Sequence, residues 1–583
     1  MHLLLIVVAS GAILAIAYRL YGTLLARLFR LDPNVKTPAV EMRDDVDYAP
    51  IEAKFLISQH FSAIAAAGPI VGPILAGLAF GWGPALIWIL VGSIFIGGVH
   101  DMGALVASVR HRASSIAQVV REHMTKRSYL LFLMFVWIAL IYIIVAFTDI
   151  VASSFVGKQT LEDGTIVSGG GIATSSLLYL ALPIIMGLLL KYTKLSLNMA
   201  TLIFLPLVGV AIWLGQKIPL DLGAMFNLSD AATIKLWDVL LLVYCFVAAL
   251  TPMWILLQPR GHLGGYFLFV ALGGGALGLI FGSLKGTTAI EYPAFTGFTA
   301  ANGDPIFPLL FITIACGACS GFHSIIASGT TSKQLRTETD AKVIGYGSML
   351  LEAMVAIVSL CCVMMLTKEA SAKLQGKPNL VYANGMGSFM EVLGIPKALG
   401  ISFGLLAFTT FVYDTLDVCT RLGRYIFEEL TGWKGTASRW VGTALMAFIP
   451  LIFVMQNNNG VSAWKTYWPL FGASNQLLAA LTLIGVTVWL SRTYKANWVW
   501  LVTGVPTVFM YIMSCWALFR FIKAGALTKE GAWKIPTDTV SWAAVILVAL
   551  AMLVLLEAIR IFFNMRPPAP RETEAVAAPA AGE

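Results

Sequence analysis

Ionisable and hydroxyl side chains are sparse in this sequence, and several stand inside long apolar runs. The richest of these runs is Cys316-Gly-Ala-Cys-Ser-Gly-Phe-His-Ser-Ile-Ile-Ala-Ser-Gly-Thr-Thr331. On a helix Ser320, Ser324 and Ser328 share one face, four residues apart, with His323 beside them. Hydroxyls so placed offer oxygens to a cation or donors to a carboxylate. His323 can carry a proton, because an unperturbed imidazole titrates near neutrality. The same pattern also serves as a small-residue packing seam with a hydrogen-bonded histidine. His60, the pair His100-Asp101, Asp149, Glu352 and Asp414 are further ionisable groups in apolar surroundings. In a bilayer each costs about 2.5–3.5 kcal/mol, which makes each a candidate for carrying an ion. Asp149 lies near the end of its run, where a hydrogen bond or headgroup contact accounts for it. Asp414 lies deeper than Asp417 and Arg421, which are spaced to pair with each other. Cys316 and Cys319 have redox-motif spacing, but nothing around them supplies a thioredoxin-like context. Asn475 and Gln476 are a deep polar pair, able to line a cavity or to bridge helices.

A second kind of candidate is backbone. The run Ile57 to Phe80 is long enough to cross a bilayer, which takes roughly 20 helical residues. It carries Gly68-Pro69 and Gly72-Pro73 near its middle. Each proline removes a donor and crowds the carbonyl four residues back. Unpaired backbone survives at bilayer depth only against protein or a watery cavity. The freed amides of Ala66, Ala67, Gly68 and Gly72 would then receive an anion and the freed carbonyls a cation. A kink that only shapes packing is the alternative. Five runs later Thr251-Pro252 interrupts a second apolar run. Two interrupted helices five apart, crossing in opposite directions, are what a five-plus-five inverted repeat produces.

These groups need many helices to hold them. The chain has 583 residues, 58% hydrophobic and 12% charged, with mean hydropathy +0.82. Soluble proteins average about 25% charged residues, so this is an all-α, polytopic membrane protein. Apolar runs predict about fifteen spans. Residues 1–56 read as a first helix and a connecting loop, and 57–430 as a core with repeats at 57–215 and 234–420. Accessory helices follow over 431–566, then a disordered tail over 567–583, rich in Pro, Ala and Glu. Arginine gathers in alternate loops, from Arg110 and Arg112 through Arg260, Arg336 and Arg421 to Arg560. This puts the N-terminus outside and the C-terminus inside, and it explains the net charge of +8 without nucleic acid. Ser114 to Met124 is amphipathic and predicts a helix along the membrane surface. The 7 cysteines suggest no disulfide framework. HExxH, GxSxG and phosphate-loop motifs are absent, which argues against an enzyme, and no loop is long enough for a signalling domain.

The sequence resembles the carbon starvation protein family, CstA. The resemblance rests on Asp47-Tyr-Ala-Pro50, on His60-Phe61 with AIAAAGPIVGPILA from Ala63, and on Phe307 through Thr331. It extends to Gly345-Tyr-Gly-Ser-Met-Leu-Leu-Glu352 and to Gly472-Ala-Ser-Asn-Gln-Leu-Leu-Ala-Ala-Leu. The family often has a second histidine where this chain has Gln59. The resemblance implies a bacterial inner-membrane secondary transporter with a LeuT-like inverted-repeat core. It implies cation-coupled, chiefly proton-coupled, uptake of a small carboxylate such as pyruvate during carbon starvation, with di- or tripeptide uptake as the alternative. A channel or a membrane sensor is a lesser reading. By order, the second, fourth, seventh and ninth spans would line the site. Substrate would meet Ala66, Ala67, Gly68, Gly72, Thr251, Ser320 and Ser324. Coupling would fall to His323, Ser320 and Ser324, then His60, His100, Asp101 and Asp414. No metal or cofactor is expected beyond the coupling ion, H+ or Na+. The expected partners are a small-molecule substrate and the lipid bilayer.

Overall fold

A computed structural model describes residues 3–44, 48–161, 165–252, 254–456, 461–527 and 532–563. The tail predicted over 567–583 lies outside them. In chain order the helices named below, short ones at Pro38–Glu41, Leu222–Phe226 and Lys368–Lys373 apart, are α1 (Leu3–Leu28), α2 (Ala53–Ile64), α3 (Gly68–Phe80), α4 (Trp82–Arg110) and the short helix α5 (Ile116–His123). Then come α6 (Lys126–Ser154), α7 (Gly169–Tyr192), α8 (Leu197–Lys217), α9 (Asp230–Leu250) and α10 (Leu257–Leu284). Next are α11 (Ile306–Thr313), α12 (Phe322–Ile326), α13 (Glu338–Met364), α14 (Pro378–Val392) and α15 (Lys397–Thr431). The last four are α16 (Thr436–Val454), α17 (Ala463–Tyr494), α18 (Trp500–Ala526) and α19 (Thr539–Phe563). One antiparallel hairpin, Lys158–Thr160 with Ile166–Ser168, precedes α7.

Among the described residues 13 helices are long and apolar enough to cross a bilayer, and 14 spans result if the bent pair α2–α3 counts as one. The remaining predicted span, near 306–330, is not a continuous helix. Burial separates inner helices from outer ones. The most apolar windows of α17, α15 and α13 are 100%, 94% and 89% buried, against 28% for Leu197–Phe226. Exposed Leu202, Trp213, Leu501 and Ile512 face outward as lipid-facing side chains do, whereas the buried helices carry the polar groups. A helix, α5, forms within the stretch Ser114 to Met124 that the sequence marks as amphipathic. Ser115 caps it by accepting from the Gln118 amide, and Ile116, Ala117, Val119 and Val120 are buried.

The interruptions differ from the sequence reading in place. The first falls at Ala65–Ala67, where α2 and α3 meet at 47°. Pro69 stands in the first turn of α3, where its missing N–H is harmless, so it begins a helix instead of ending one. The second interruption is not at Thr251-Pro252. That dipeptide closes α9 and opens the turn into α10. Arg421 donates to the carbonyls of Ala248 (2.8 Å) and Thr251 (2.7 Å), Arg424 donates to Ala249, and Arg439 donates to Leu250. These guanidiniums satisfy the last carbonyls of α9, a helix end rather than a mid-helix opening. The true second interruption is Ile314–Gly321, between α11 and α12. No proline marks it. Gly317, Ser320 and Gly321 are weak helix formers, and they suffice once outside partners take over the backbone.

Candidate functional site

The two interrupted segments lie directly against each other. A Cβ added to Gly68 would stand 2.2 Å from Cys316 Sγ, and one on Gly72 would stand 2.4 Å from the Thr313 carbonyl oxygen. Glycine is therefore required at both crossings. Residues of α17 supply hydrogen-bond partners to the backbone at both ends of the 314–321 interruption. Asn475 Oδ1 accepts from the Phe322 amide at 3.0 Å, the Asn475 carbonyl accepts from Gly321 at 3.1 Å, and Gln476 Nε2 donates to the Phe311 carbonyl at 2.5 Å. Gly472 permits this approach, since a Cβ there would stand 2.2 Å from the Ile312 carbonyl oxygen. Asn475 and Gln476 thus bridge helices.

Of the amides expected to hold an anion, that of Ala66 is otherwise engaged, and the backbone around it is closely packed. Ala66 N donates to the Ile64 carbonyl, Ile70 N and Val71 N donate to the Ala67 carbonyl, and Gly68 and Gly72 are covered by the second interrupted segment. Thr251 belongs to the end of α9, and its hydroxyl donates to the Val247 carbonyl at 2.9 Å. The serine face is also engaged. Ser324 donates to the Gly321 carbonyl at 2.7 Å, Ser328 to the Ser324 carbonyl at 2.7 Å, and Asn475 Nδ2 donates to Ser320 Oγ at 3.0 Å. The serine face therefore acts in packing and backbone satisfaction.

The histidines and acids do come together. Asp101, on α4, is fully buried between two imidazoles: His100 Nδ1 at 2.7 Å from Oδ1 and His323 Nδ1 at 2.7 Å from Oδ2. The other ring nitrogen of His323 lies 3.2 Å from Glu352 Oε2, on α13. His100, Asp101, His323 and Glu352 are all 0% exposed. A close contact between an imidazole nitrogen and a carboxylate needs a proton between them. His323, between two carboxylates, therefore holds two. They reside as an imidazolium flanked by two carboxylates, or as a neutral imidazole beside one protonated acid. Neither Glu352 oxygen nor His323 Nε2 has a hydrogen bond among the described residues, so this second contact is a charge contact without an aligned bond, unlike the one to Asp101. This bridge joins α4 and α13 through the first residues after the second interruption. On the facing segment His60 Nδ1 pairs with Thr331 Oγ1 at 2.8 Å.

A second buried charge cluster lies on the other side of α2. Arg260, in the first turns of α10, pairs with Asp417 of α15 through two parallel contacts: Nη2 to Oδ1 at 2.5 Å and Nη1 to Oδ2 at 2.7 Å. Its Nε stands 2.6 Å from Asp414 Oδ1, and Ser62 of α2 donates to Asp414 Oδ2 at 2.6 Å. Tyr244 also accepts from Arg260. The pairing proposed between Asp417 and Arg421 is replaced by these contacts, because Arg421 caps α9. A cavity of about 60 Å³ is lined by His60, Ser62, Arg260 and Asp414, and it shares Gln258 and Gln334 with two larger hollows of about 280 and 1000 Å³. The largest of these is lined by Arg421, Arg424 and Arg439, so it opens at the arginine-rich end of the bundle.

Two further groups are outside this centre. Asp149 accepts from the Trp464 amide at 2.8 Å, in the first turn of α17, with Lys235 3.8 Å away, which makes it a helix-capping acid. His111, Glu122 and His123, near α5, are the described group whose ligand atoms could share a metal ion, all within 4.8 Å. The expectation of no metal therefore has one place to be tested. All seven cysteines are free and buried.

The family model for carbon starvation protein CstA matches residues 2–381 and 367–517. The chain belongs to the CstA family. Among curated relatives, the pyruvate/proton symporter BtsT of Escherichia coli is 31% identical over 88% of this chain and 81% of its own length. The peptide transporter CstA of Bacillus subtilis is 29% identical over 91% of this chain and 92% of its own. Among solved structures, a mutant of the Eremococcus coleocola manganese transporter aligns over 89% of this chain and 98% of its own, with TM-score 0.50 and 13% identity. That likeness shows the fold alone, a LeuT-like transporter core with accessory helices. In this CstA-family chain the interrupted segments are the second and ninth in order. They are seven apart in order, not the five that the Gly68-Pro69 and Thr251-Pro252 interruptions would give.

The partners of two site residues are not legible in the sequence from spacing alone. Glu352 was noted in an apolar run without a partner, because nothing in its spacing points to His323. Arg260 was counted with the loop arginines. Its signal was there: it stands alone, followed at once by an apolar helix, and Asp414 and Asp417 are two deep acids with only one cation to share.

Proposed function

We propose that this protein is a secondary active transporter of the bacterial inner membrane, taking up a small carboxylate such as pyruvate together with protons during carbon starvation. The observation that carries the reading is the Asp101–His323–Glu352 bridge. It is a buried, exchangeable proton store, and it sits where the second interrupted helix resumes. A proton gained or lost there changes the charge between α4, α12 and α13, which biases how the interrupted segments pack. The bundle end with Arg421, Arg424 and Arg439 is the cytoplasmic one under the charge rule, so the connected hollows open inward. The N-terminus is then outside and the C-terminus inside.

Size supports a small acid. At a minimum of ~10–15 Å³ of accessible space for a water, a cavity of 60 Å³ holds at most about four to six. Pyruvate has about six non-hydrogen atoms, and the smallest dipeptide about nine. The names of the peptide-transporter relatives favour the second reading, di- or tripeptide uptake, which would require the 60 and 280 Å³ hollows to merge. Purified protein in liposomes separates the two. Labelled pyruvate and labelled dialanine are offered in turn under a pH gradient alone and under a sodium gradient alone. The reading expects pyruvate to accumulate under the pH gradient only. Accumulation of dialanine but not pyruvate, or accumulation driven by sodium only, would overturn it.

A further inference from the structure

Arg260 holds its two carboxylates unequally. Asp417 takes the fork of the guanidinium in aligned bonds. Asp414 Oδ1 approaches Nε to 2.6 Å but out of alignment, so neither atom has a hydrogen bond among the described residues. The hydroxyl of Tyr179, a fully buried side chain, also has no hydrogen-bond partner among them. It comes to the same spot. Gly264, one turn on from Arg260, lacks a side chain there, and a Cβ on it would stand 2.5 Å from Asp414 Oδ2, 2.8 Å from Ser62 Oγ and 3.1 Å from the Tyr179 hydroxyl. The cavity of about 60 Å³ opens beside it, at Gly261, where an added Cβ would meet nothing within 4 Å. Arg260 Nε at the wall of that cavity, and the Tyr179 hydroxyl beside Asp414, are buried donors that call for an acceptor now absent or badly placed.

We propose that the substrate's carboxylate docks on Arg260, displacing Asp414, which occupies that place as an internal stand-in. The proposal rests on the small-carboxylate reading above and adds the residue that recognises the acid. The Ser62 and Tyr179 hydroxyls are the other donors, and Asp417 keeps the guanidinium oriented. Three ionised carboxylates around one buried guanidinium are not sustainable, so Asp414 is protonated when substrate is seated. The charged and titratable groups around it are Arg260 of α10, Asp417 of its own helix, Tyr179 of α7, Tyr244 of α9 beyond Arg260, and His60 of α2 across the cavity. None of these supplies a second cation as close as Arg260. Ionised Asp414 therefore competes with substrate, and affinity falls as pH rises.

Equilibrium exchange of labelled pyruvate, with equal pH on both sides of the liposome, reads affinity without needing a gradient. In the wild type, KM is expected to rise at least fivefold from pH 6 to pH 8. In Asp414→Asn it stays near the low-pH value at both. Gly261→Leu fills the cavity from a position with open space, and it is expected to cut exchange at least tenfold while the protein elutes normally. A wild-type KM that is flat with pH, an Asp414→Asn variant that keeps the wild-type slope, or a Gly261→Leu variant that exchanges normally would each overturn the proposal. Should Asp414→Asn not fold, the wild type decides with methyl pyruvate, which lacks a carboxylate. The ester is expected not to compete, and competition equal to pyruvate's would overturn the docking role. A wild type that exchanges no pyruvate at all would instead overturn the small-carboxylate reading beneath it.

Discussion

Replacing Gly68 with alanine tests whether the two interrupted helices meet where described. The added Cβ would stand 2.2 Å from Cys316 Sγ and 2.3 Å from its Cβ. Comfortable contact is ~3.5–4.0 Å, so the segments would have to part by about 1.5 Å. Overpacking of this kind typically costs ~1–3 kcal/mol. The upper part of that range is expected here, because the backbone behind Cys316 is held in place by Asn475 and Gln476 of α17. Cys316→Gly removes both clashing atoms, and the next nearest atom, the Cys316 Cα, is then 3.7 Å away, which is ordinary contact. The double variant should therefore recover most of the loss, with a coupling of ~1–2 kcal/mol in the cycle of four proteins. Cys316→Gly alone should cost about 1 kcal/mol or less, since it gives up a weak bond from Asn475 at 3.4 Å. The assay is unfolding of the purified protein in detergent, read by loss of the monodisperse elution peak on heating and by labelling of the buried thiols. A neutral Gly68→Ala, or a double variant no better than the sum of its parts, would refute the contact and with it the assignment of the second interruption to Ile314–Gly321.

Other expectations follow from the same geometry. Asn475→Ala leaves the Phe322 amide without its acceptor, at ~1–3 kcal/mol, while Asn475→Asp keeps an acceptor and should fall between the alanine variant and the wild type in the same unfolding assay. Glu352→Gln keeps the shape of the bridge but cannot exchange a proton at that position. Accumulation driven by a pH gradient should fall at least tenfold, while exchange at equal pH stays within about threefold of wild type. Thr251→Ala should transport within about twofold of wild type, because Thr251 ends a helix rather than lining an opening; a loss above tenfold would place Thr251 at the substrate path instead.

The membrane architecture was readable because lipid demands long apolar runs, and composition carries that directly. Helix α5 was readable too, from its period. The first interruption was found through Gly68-Pro69, although the proline proved to begin the second half rather than to break the first. The second carries no proline, so the sequence does not announce it. Thr251-Pro252 looked like the match, but its backbone is capped by three arginines from α15 and α16 that lie far away in sequence. The real interruption is written in Gly317, Ser320 and Gly321, and its stability comes from Asn475 and Gln476, about 155 residues on. His323, Asp101 and His100 were each legible as ionisable groups in apolar runs. Their joining could not be read, since nothing local fixes which buried acid faces which histidine. The serines shared the face they were expected to share, but their hydroxyls satisfy backbone and Asn475.

The central claim is that the transported proton rides on His323 between Asp101 and Glu352. Its most direct test is proton movement itself. Wild type and His323→Gln are placed in liposomes with a pH dye inside and no imposed gradient, and pyruvate is added outside. Glutamine can span two neighbours but cannot carry a proton. The account predicts that the wild-type interior acidifies in step with pyruvate entry, and that His323→Gln admits pyruvate with markedly less acidification per molecule, the remainder being the proton on Asp414. Acidification by His323→Gln at the wild-type rate would contradict it.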